Sequence, residues 1–338
     1  MEKMFSLIIP CHNPEKTIFK LFDSLTRQNI PKKDLQIIVV DDNSDSVDYW
    51  TQLKTLYSTW DLVFARTTTK VHCPSNTRRE GMKYITGKWV FFCDQDDYFE
   101  DGALAKVKEY IETHNKKMYV ISTIMRTCDP VTEECKDVFA HKQAWLHGKW
   151  YSMENLIKPY NINFKEDLVT HEDIYFNSCV LNVLFYLETD WEYLDIFTYR
   201  WVDNPESLTR KPRNDRGYLF ENFQDYIVSA SEPYIENAKR LREPIFVNQL
   251  IMTALHCYFY YEAASYFNGP TDYTDTIELI KNYLHRLRDE LHYSPNFIVD
   301  YVYSNASQYD AVRQDCMKST GLCIPKTSFR DFVLRLGQ

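Results

Sequence analysis

Glycine is scarce in this sequence. Only 8 of the 338 residues are glycine, and the first along the chain is Gly81. A glycine-rich loop that cradles phosphates is therefore missing near the N-terminus, which counts against a nucleotidyltransferase built on such a loop. A collagen-like repeat is excluded for the same reason. The 44% hydrophobic content and 25 tyrosines instead indicate a folded chain, long enough for one large domain or two ordinary ones.

Long apolar runs are also missing. No segment approaches the ~20 uninterrupted apolar residues of a membrane-spanning helix. Residues 1–9 enter a strand-like pattern directly and show no small-residue cleavage site, so we expect no signal peptide. The sequence predicts a cytoplasmic protein without a transmembrane span, at most peripheral to a membrane.

The chain has neither a net positive charge nor a metal-binding cysteine pattern. The formal net charge of -9 disfavours broad binding to nucleic acid, although a local basic groove stays open. The nine cysteines form no CxxC pair. The closest pairs, Cys128/Cys135 and Cys316/Cys323, are each separated by six residues. We expect reduced thiols that fill buried space.

Short apolar runs alternate with helical patterns through the first half of the chain. The predicted strands are 5–10, 35–40, 61–65, 88–93 and 118–125. The predicted helices are 15–27, 47–57, 76–86 (capped by Gly87) and 101–114. This alternation predicts right-handed βαβ units and an α/β fold with a mainly parallel, Rossmann-like sheet flanked by helices.

Polar clusters follow three of these strands. They are Pro10-Cys11-His12-Asn13, Asp41-Asp42-Asn43 and Asp94-Gln95-Asp96-Asp97. Ligands bind beyond the carboxyl ends of such strands, so the clusters are expected to share one cleft. Asp94 and Asp96 are two residues apart and can point to one side. Two carboxylates there suit Mg²⁺ or Mn²⁺ with a nucleotide diphosphate; the alternative is a solvated acidic turn.

The pattern becomes helical beyond about residue 215. Helices are predicted at 220–231, 232–242, 244–267, 274–290 and 309–319, with breaks at Pro233, Pro244, 268–270 and 294–295. We therefore divide the chain into residues 1–215 and a helical module, residues 216–338, for acceptor binding or homo-oligomerisation. The aromatic run 255–261 favours a core or dimer contact over sugar stacking.

Seven segments together carry a family resemblance. They are Ser6–Asn13, Ile37–Ser44, Ser75–Gly81, Asp94–Asp97, Leu146–Tyr151 with Phe164–Asp167, His171–Asn177, and Tyr199–Trp201 with Asn204–Arg210. In this order they resemble the family 2 glycosyltransferases, which have the GT-A nucleotide-binding fold. The resemblance runs from about residue 4 to residue 210.

The resemblance implies a donor site for a UDP-sugar and a divalent metal. Asp96 would bind the metal, with Asp94 assisting near the donor ribose or sugar. Asp97 is either part of the site or a turn cap. Many relatives carry a metal-binding histidine where this chain has Asn204, which leaves the third ligand open. The residues expected to bind the donor are Pro10, His12, Asn13, Asp41 (facing the base), Asp42, Ser75, Arg78, Asp94, Gln95, Asp96, Ser207 and Arg210.

By the same resemblance, Asp173 is the candidate general base. An inverting transfer requires one carboxylate to remove the acceptor's proton, and the family places it second in a Glu-Asp pair. Glu172 and His171 would contact the acceptor. An N-terminal helix cap is the alternative for Asp173. The basic segment 209–216 is either a loop that closes over the diphosphate or a hinge between modules.

The leading hypothesis is an inverting, metal-dependent hexosyltransferase. It would move a sugar from a UDP-sugar to a hydroxyl on a cell-surface glycan or a teichoic-acid-like polymer. One alternative acceptor is a hydroxylated base in viral DNA, which the acidic net charge disfavours. An alternative of another class is a non-catalytic nucleotide- or glycan-binding protein with this fold, against which the intact Asp94, Asp96 and Asp173 argue.

Overall fold

The computed structural model forms two compact units. It describes residues 3–114, 116–138, 145–204, 216–241, 243–268, 274–321 and 323–337. The units are Met1–Ser207 and Leu208–Gln338. The functional division into a transferase domain at 1–215 and an acceptor or oligomerisation module at 216–338 stays a prediction.

The first unit contains a nine-stranded sheet. Its strands are β1 (Lys3–Cys11), β2 (Leu35–Asp41), β3 (Asp61–Arg66), β4 (Gly87–Phe92), β5 (Tyr98–Phe99), β6 (Val120–Cys128), β7 (Cys135–Val138), β8 (Lys149–Ser152) and β9 (Glu192–Val202). The order is β3-β2-β1-β4-β8-β6-β9-β5, with β7 paired to β6. Strands β1 to β4 pair in parallel, as expected, whereas β8 runs antiparallel to both β4 and β6.

Helices flank this sheet. They are α1 (Ile18–Thr26), α2 (Asp48–Leu56), α3 (Pro74–Met82), α4 (Ala103–Thr113), α5 (Lys158–Tyr160) and α6 (Glu172–Tyr186). A 3-10 turn, Lys32–Asp34, precedes β2, and a π-helical turn, Met153–Ile157, precedes α5. The predicted α/β architecture is confirmed in these elements.

Apolar side chains on both faces explain why the central strands are continuous hydrophobic runs. In β1, Leu7 and Ile9 pack into one buried cluster, whereas Ile8 packs into a second cluster on the opposite face. In β4, Phe91 and Phe92 divide between the same two clusters. A strand covered on both faces needs apolar residues at every position rather than at alternate ones.

The role predicted for Gly87 is wrong. Helix α3 ends at Met82 with Lys83 as its cap, and Gly87 is the first residue of β4. A Cβ atom at Gly87 would lie 2.6 Å from the backbone carbon of Phe5 and from the backbone nitrogen of Ser6. The close approach of β4 to β1, not helix capping, therefore requires glycine.

The expectation that all cysteines are reduced is also wrong. Cys128 and Cys135 face each other across the β6–β7 pair and form a disulfide. Their spacing in the sequence did not reveal that a hairpin lies between them. The other seven cysteines are free thiols.

The second unit is helical, as predicted. Its helices are α7 (Arg216–Leu241), α8 (Pro244–Asn268), α9 (Thr274–Leu291), α10 (Pro295–Ser304), α11 (Ala306–Thr320) and α12 (Ser328–Leu336). The predicted break at Pro233 is wrong, because that proline lies inside α7. Tyr234 and Ile235 beside it are buried, and their packing stabilises the helix despite the hydrogen bond that proline cannot donate.

The aromatic run in α8 belongs to the core of this unit. Leu255, Cys257, Tyr258 and Phe259 are buried. The Tyr258 ring lies 5.0 Å from the ring of Phe332 in α12. Among the helices described, none combines the length and the hydrophobicity that crossing a membrane would require.

Candidate active site

The carboxyl ends of β1, β2 and β4 meet at one edge of the sheet. Cys11 pairs with Asp41 in the register of β1 and β2, and the backbone N–H of Cys93 donates to the carbonyl of Ile8 at 3.0 Å. The three polar clusters predicted from the sequence therefore follow neighbouring strands. Their side chains define the candidate site.

Gln95 and His12 hold two of these clusters together. The His12 backbone N–H donates to Gln95 Oε1 at 2.7 Å, and Gln95 Nε2 donates to the His12 carbonyl at 3.0 Å. His12 Nδ1 lies 2.9 Å from the Asp42 carbonyl oxygen. Asn13, just after Pro10 and His12, pairs its side-chain amide with Asp45 at 2.9 and 3.1 Å. These bonds tie together the segments that follow β1, β2 and β4.

Asp41 and Asp42 have different surroundings. The Asp41 side chain is fully buried, and its oxygens accept from the Tyr49 hydroxyl and the Ser44 backbone N–H, each at 3.1 Å. Arg66 Nε forms an ion pair with Asp41 Oδ2 at 3.1 Å. The Asp42 side chain is 12% exposed. Asp42 Oδ1 accepts from the Thr67 hydroxyl at 2.9 Å and lies 3.1 Å from His72 Nδ1. Contact of either carboxylate with the donor stays a prediction.

Asp94 lies between the guanidinium of Arg78 and the imidazole ring of His147. Its Oδ1 accepts from Arg78 Nη2 at 2.6 Å, and its Oδ2 lies 3.1 Å from His147 Nε2. Burial alone would raise the pKa of the Asp94 carboxyl, but Arg78 and His147 outweigh it and hold that pKa well below its usual range. Asp94 is therefore a carboxylate at neutral pH.

Asp96 and Asp97 take separate roles. Asp96 accepts from Asn204 Nδ2 at 2.9 Å, and burial together with the charge of Asp94 raises the pKa of its carboxyl. Asp97 is buried and accepts from the Tyr199 hydroxyl at 2.7 Å and from the Val202 backbone N–H at 2.8 Å. Asp97 thus fixes the end of β9 beside the site and does not cap the next turn.

The residues present fit a divalent cation. Carboxylate oxygens are the ligands that Mg²⁺ and Mn²⁺ prefer. Asp94 and Asp96 offer such oxygens at the end of β4. One oxygen each from Asp94 and Asp97 and one ring nitrogen of His147 also lie within 4.8 Å of one another.

Arg78 connects Asp94 with the start of α6. Its side chain is 6% exposed; Nη2 bonds Asp94, and Nη1 forms an ion pair with Glu172 Oε1. Asp94 and Glu172 are 78 residues apart in the sequence, so the bridge exists only in the folded chain. A buried guanidinium with two carboxylate partners is a strong constraint on their positions.

Asp173 is the second residue of α6. His171, before the helix, has the left-handed φ of 59°. The Asp173 Oδ1 atom accepts from the Ile174 backbone N–H at 2.7 Å. Burial and the charge of Glu172 raise the pKa of the Asp173 carboxyl to about 7, while Arg78 acts in the opposite direction. A carboxyl with such a pKa suits a general base near neutral pH.

Helix α3 holds the segment that leads into α6. The Ser75 hydroxyl donates to the Lys165 carbonyl, so this buried serine contacts protein, and its predicted donor contact stays untested. Asn76 bonds Asp167 in both directions, at 2.8 and 3.0 Å. Asn76 belongs to the Ser75–Gly81 motif, and no role is predicted for it from the sequence. Ser207, Arg210 and most of the basic segment (209–215) lie outside the described residues.

A family model described as "Glycosyl transferase family 2" matches residues 6–176. That match spans half of the chain and contains the Asp94–Asp97 cluster and Asp173. The chain belongs to glycosyl transferase family 2. It is therefore a glycosyltransferase, and the sequence-based family assignment is confirmed.

Two curated relatives share sequence with part of this glycosyltransferase. The poly(ribitol-phosphate) beta-N-acetylglucosaminyltransferase TarS of Staphylococcus aureus is 32% identical over 118 residues, 35% of this chain and 20% of TarS. A poly(ribitol-phosphate) beta-glucosyltransferase of Bacillus spizizenii is 36% identical over 103 residues, 30% of this chain and 16% of that protein. The matches thus span a fifth or less of these relatives.

A solved structure confirms the fold. The crystal structure of S. aureus TarS residues 1–349 in complex with UDP-GlcNAc superposes with a TM-score of 0.64 at 20% identity. The alignment covers 90% of this chain and 92% of that one. The glycosyltransferase has the GT-A fold with a helical C-terminal region.

Lys149, the first residue of β8, is a buried lysine for which the sequence predicts no role. Its Nζ atom donates to the Trp145 carbonyl at 2.5 Å and lies 5.1 Å from the centre of the Trp191 ring. Burial lowers the pKa of the ammonium to about 7, although Asp173 acts in the opposite direction. The folded chain therefore holds this proton less tightly than the unfolded chain does.

We expect Lys149→Met to raise the free energy of unfolding at pH 7 by about 1 to 4 kcal/mol, because it removes a desolvated charge. In the wild type, stability should rise from pH 7 toward 10, where only the unfolded chain still binds this proton. The variant should lose that rise. Thermal unfolding between pH 6 and pH 10 measures both effects, with exposed Lys88→Met as the matched control. A destabilised Lys149→Met would contradict this account.

Proposed function

We propose that this chain is an inverting, metal-dependent glycosyltransferase that moves a sugar from a UDP-sugar to a hydroxyl of a polyol-phosphate polymer of the teichoic-acid type. The single observation that carries the proposal is the Arg78 bridge between Asp94 and Glu172. Asp94 is a predicted donor carboxylate and Glu172 precedes the predicted base Asp173, so the bridge supports a site in which the two groups act together.

The proposed reaction is a single displacement. Asp173 accepts the proton of the acceptor hydroxyl, and that oxygen forms a bond to the anomeric carbon from the side opposite the diphosphate. The bond from the anomeric carbon to the phosphate oxygen breaks, and its electron pair leaves with UDP. A divalent cation held by Asp94 and Asp96 would neutralise the charge that develops on this leaving group.

The proposed substrates rest on the relatives. TarS and the B. spizizenii enzyme are named for adding N-acetylglucosamine and glucose to poly(ribitol-phosphate), and a TarS structure contains UDP-GlcNAc. Each relative matches about a third of this chain. We therefore propose UDP-GlcNAc or UDP-glucose as the donor and a ribitol-phosphate chain as the acceptor.

Donor turnover without an acceptor tests this function. UDP release is measured across a panel of UDP-sugars with Mn²⁺ or Mg²⁺, and again with EDTA. We expect slow hydrolysis of one donor that EDTA abolishes. If no UDP-sugar releases UDP and calorimetry detects no metal-dependent binding of UDP, the proposal is contradicted and a non-catalytic protein is favoured.

The pH dependence follows from the environment of Asp173. Its carboxyl pKa is raised from 3.8 to about 7, and only the ionised form accepts a proton. We expect kcat/KM to fall about tenfold per pH unit below about pH 7 and to level off above it. Initial rates at saturating Mg²⁺ from pH 5.5 to 8.5 measure this. A flat profile would contradict the assignment of Asp173 as the base.

A further inference from the structure

The His147 side chain lies beside the carboxyl groups of Asp94 and Asp97. His147 belongs to the Leu146–Tyr151 motif, but no role is predicted for it from the sequence. It lies just before β8 in a turn that the sheet holds tightly. The next residue, Gly148, has a φ of 70°, and its carbonyl accepts from the backbone N–H and the hydroxyl of Thr123, both at 2.8 Å. The backbone of His147 is therefore fixed by β6.

The ring of His147 is fixed as well. It stacks on the Tyr199 ring with 5.6 Å between centres and 16° between planes. The Tyr199 hydroxyl donates to Asp97 Oδ2 at 2.7 Å and accepts from the Asp94 backbone N–H at 3.0 Å. Tyr199 thus contacts the imidazole ring of His147, the carboxyl group of Asp97 and the backbone of Asp94.

This arrangement directs His147 Nε2 at two carboxylates. Nε2 lies 3.1 Å from Asp94 Oδ2 and 3.8 Å from Asp97 Oδ2, and the His147 side chain is 16% exposed. A ring nitrogen without a proton and a carboxylate oxygen are both acceptors. At this separation they require a proton or a cation between them.

Asn204 has a different contact. Its Nδ2 donates to Asp96 Oδ2 at 2.9 Å. Asn204 stands where many relatives carry a metal-binding histidine, and here that position supplies a hydrogen-bond donor. His147, in the turn ahead of β8, lies beside Asp94 and Asp97 of the same acidic segment. The cluster therefore has one ring nitrogen beside its oxygens.

We propose that His147 is a nitrogen ligand of the divalent cation and that it biases the site toward Mn²⁺ over Mg²⁺. The proposal rests on the metal dependence proposed above. Neutral imidazole is a common ligand of transition-metal ions, of which Mn²⁺ is one, whereas Mg²⁺ is usually held by one or two carboxylates and keeps several waters. Ligation requires the neutral ring with its proton on Nδ1, so Nε2 then binds the cation in place of its hydrogen bond to Asp94.

Pulsed electron paramagnetic resonance of the full chain with Mn²⁺ and UDP tests this directly. We expect modulation from a ¹⁴N nucleus bound to Mn²⁺ in the wild type. His147→Ala should lose it, whereas His114→Ala, which changes an exposed histidine of the same unit, should keep it. Mn²⁺ bound without ¹⁴N modulation in the wild type would overturn the proposal, as would modulation that persists in His147→Ala.

Metal titrations provide a second readout. We expect His147→Ala and His147→Gln to weaken Mn²⁺ binding by about tenfold or more and to change Mg²⁺ binding much less. An unchanged ratio of the two affinities would overturn the proposal. Absence of any UDP-dependent metal binding by the wild type would overturn the proposed metal dependence too, which separates the two failures. The wild-type spectrum does not depend on how well either variant folds.

Discussion

Replacing Asp173 by asparagine is expected to reduce sugar transfer by at least about a hundredfold, which is the usual contribution of a general base. The amide keeps the size of the carboxyl and its Oδ1 can still accept from the Ile174 backbone N–H. It cannot accept the acceptor's proton. Binding of the UDP-sugar should be nearly unchanged, because Asp173 acts on the acceptor. Initial rates and donor calorimetry on the same preparation measure the two quantities.

Asp190→Asn is the matched control. Asp190 also accepts from the backbone N–H of the residue that follows it, at 2.7 Å, but it is exposed. Its replacement should leave transfer unchanged. Normal transfer by Asp173→Asn would show that another group removes the proton, and equal losses of transfer and donor binding would place Asp173 in the donor site instead.

Arg78→Met is expected to lower the free energy of unfolding by about 3 to 5 kcal/mol, because it leaves two carboxylates without their buried cation. For a unit of this size, that corresponds to a melting temperature lower by roughly 10 °C. Transfer should fall as well, since Asp94 and Glu172 lose their common partner. Thermal unfolding and initial rates measure the two effects.

The neighbouring Arg79 is the control for this change. Arg79 contacts Glu166 and the Phe164 carbonyl, and its side chain is 36% exposed. Arg79→Met should lower the free energy of unfolding by about 1 kcal/mol or less. Equal destabilisation by Arg79→Met and Arg78→Met would contradict the bridging role.

The residual activity of Arg78→Met should need a higher pH than that of the wild type, because Arg78 lowers the pKa of Asp173.

The sequence predicted the parallel half of the sheet well and the other half poorly. Strands β1, β2 and β4 are apolar at successive positions because both faces of each strand are covered. Such apolar runs can be recognised from the amino-acid sequence alone. Strand β8 is four residues long and begins with Lys149, a residue type that rarely occurs fully buried. No local pattern distinguishes it from a loop, so the antiparallel pairs around it were not predicted.

The candidate site shows the same limit. The clusters at residues 10–13, 41–43 and 94–97 were predictable because each follows a strong strand. The contacts that organise them were not, because Arg78 reaches Glu172 and Tyr199 reaches Asp97 across long stretches of sequence. The role of Gly87 was misjudged for a similar reason, since its constraint comes from β1 rather than from the helix before it.

The measurement that tests the central claim most directly is the anomeric configuration of the transferred sugar. The wild-type chain is incubated with an α-linked UDP-sugar and a ribitol-phosphate oligomer, and the product is examined by proton nuclear magnetic resonance. A single displacement with Asp173 as the base predicts a β-linked sugar. An α-linked product would contradict the account, because retention requires a route that does not use one base opposite the leaving group.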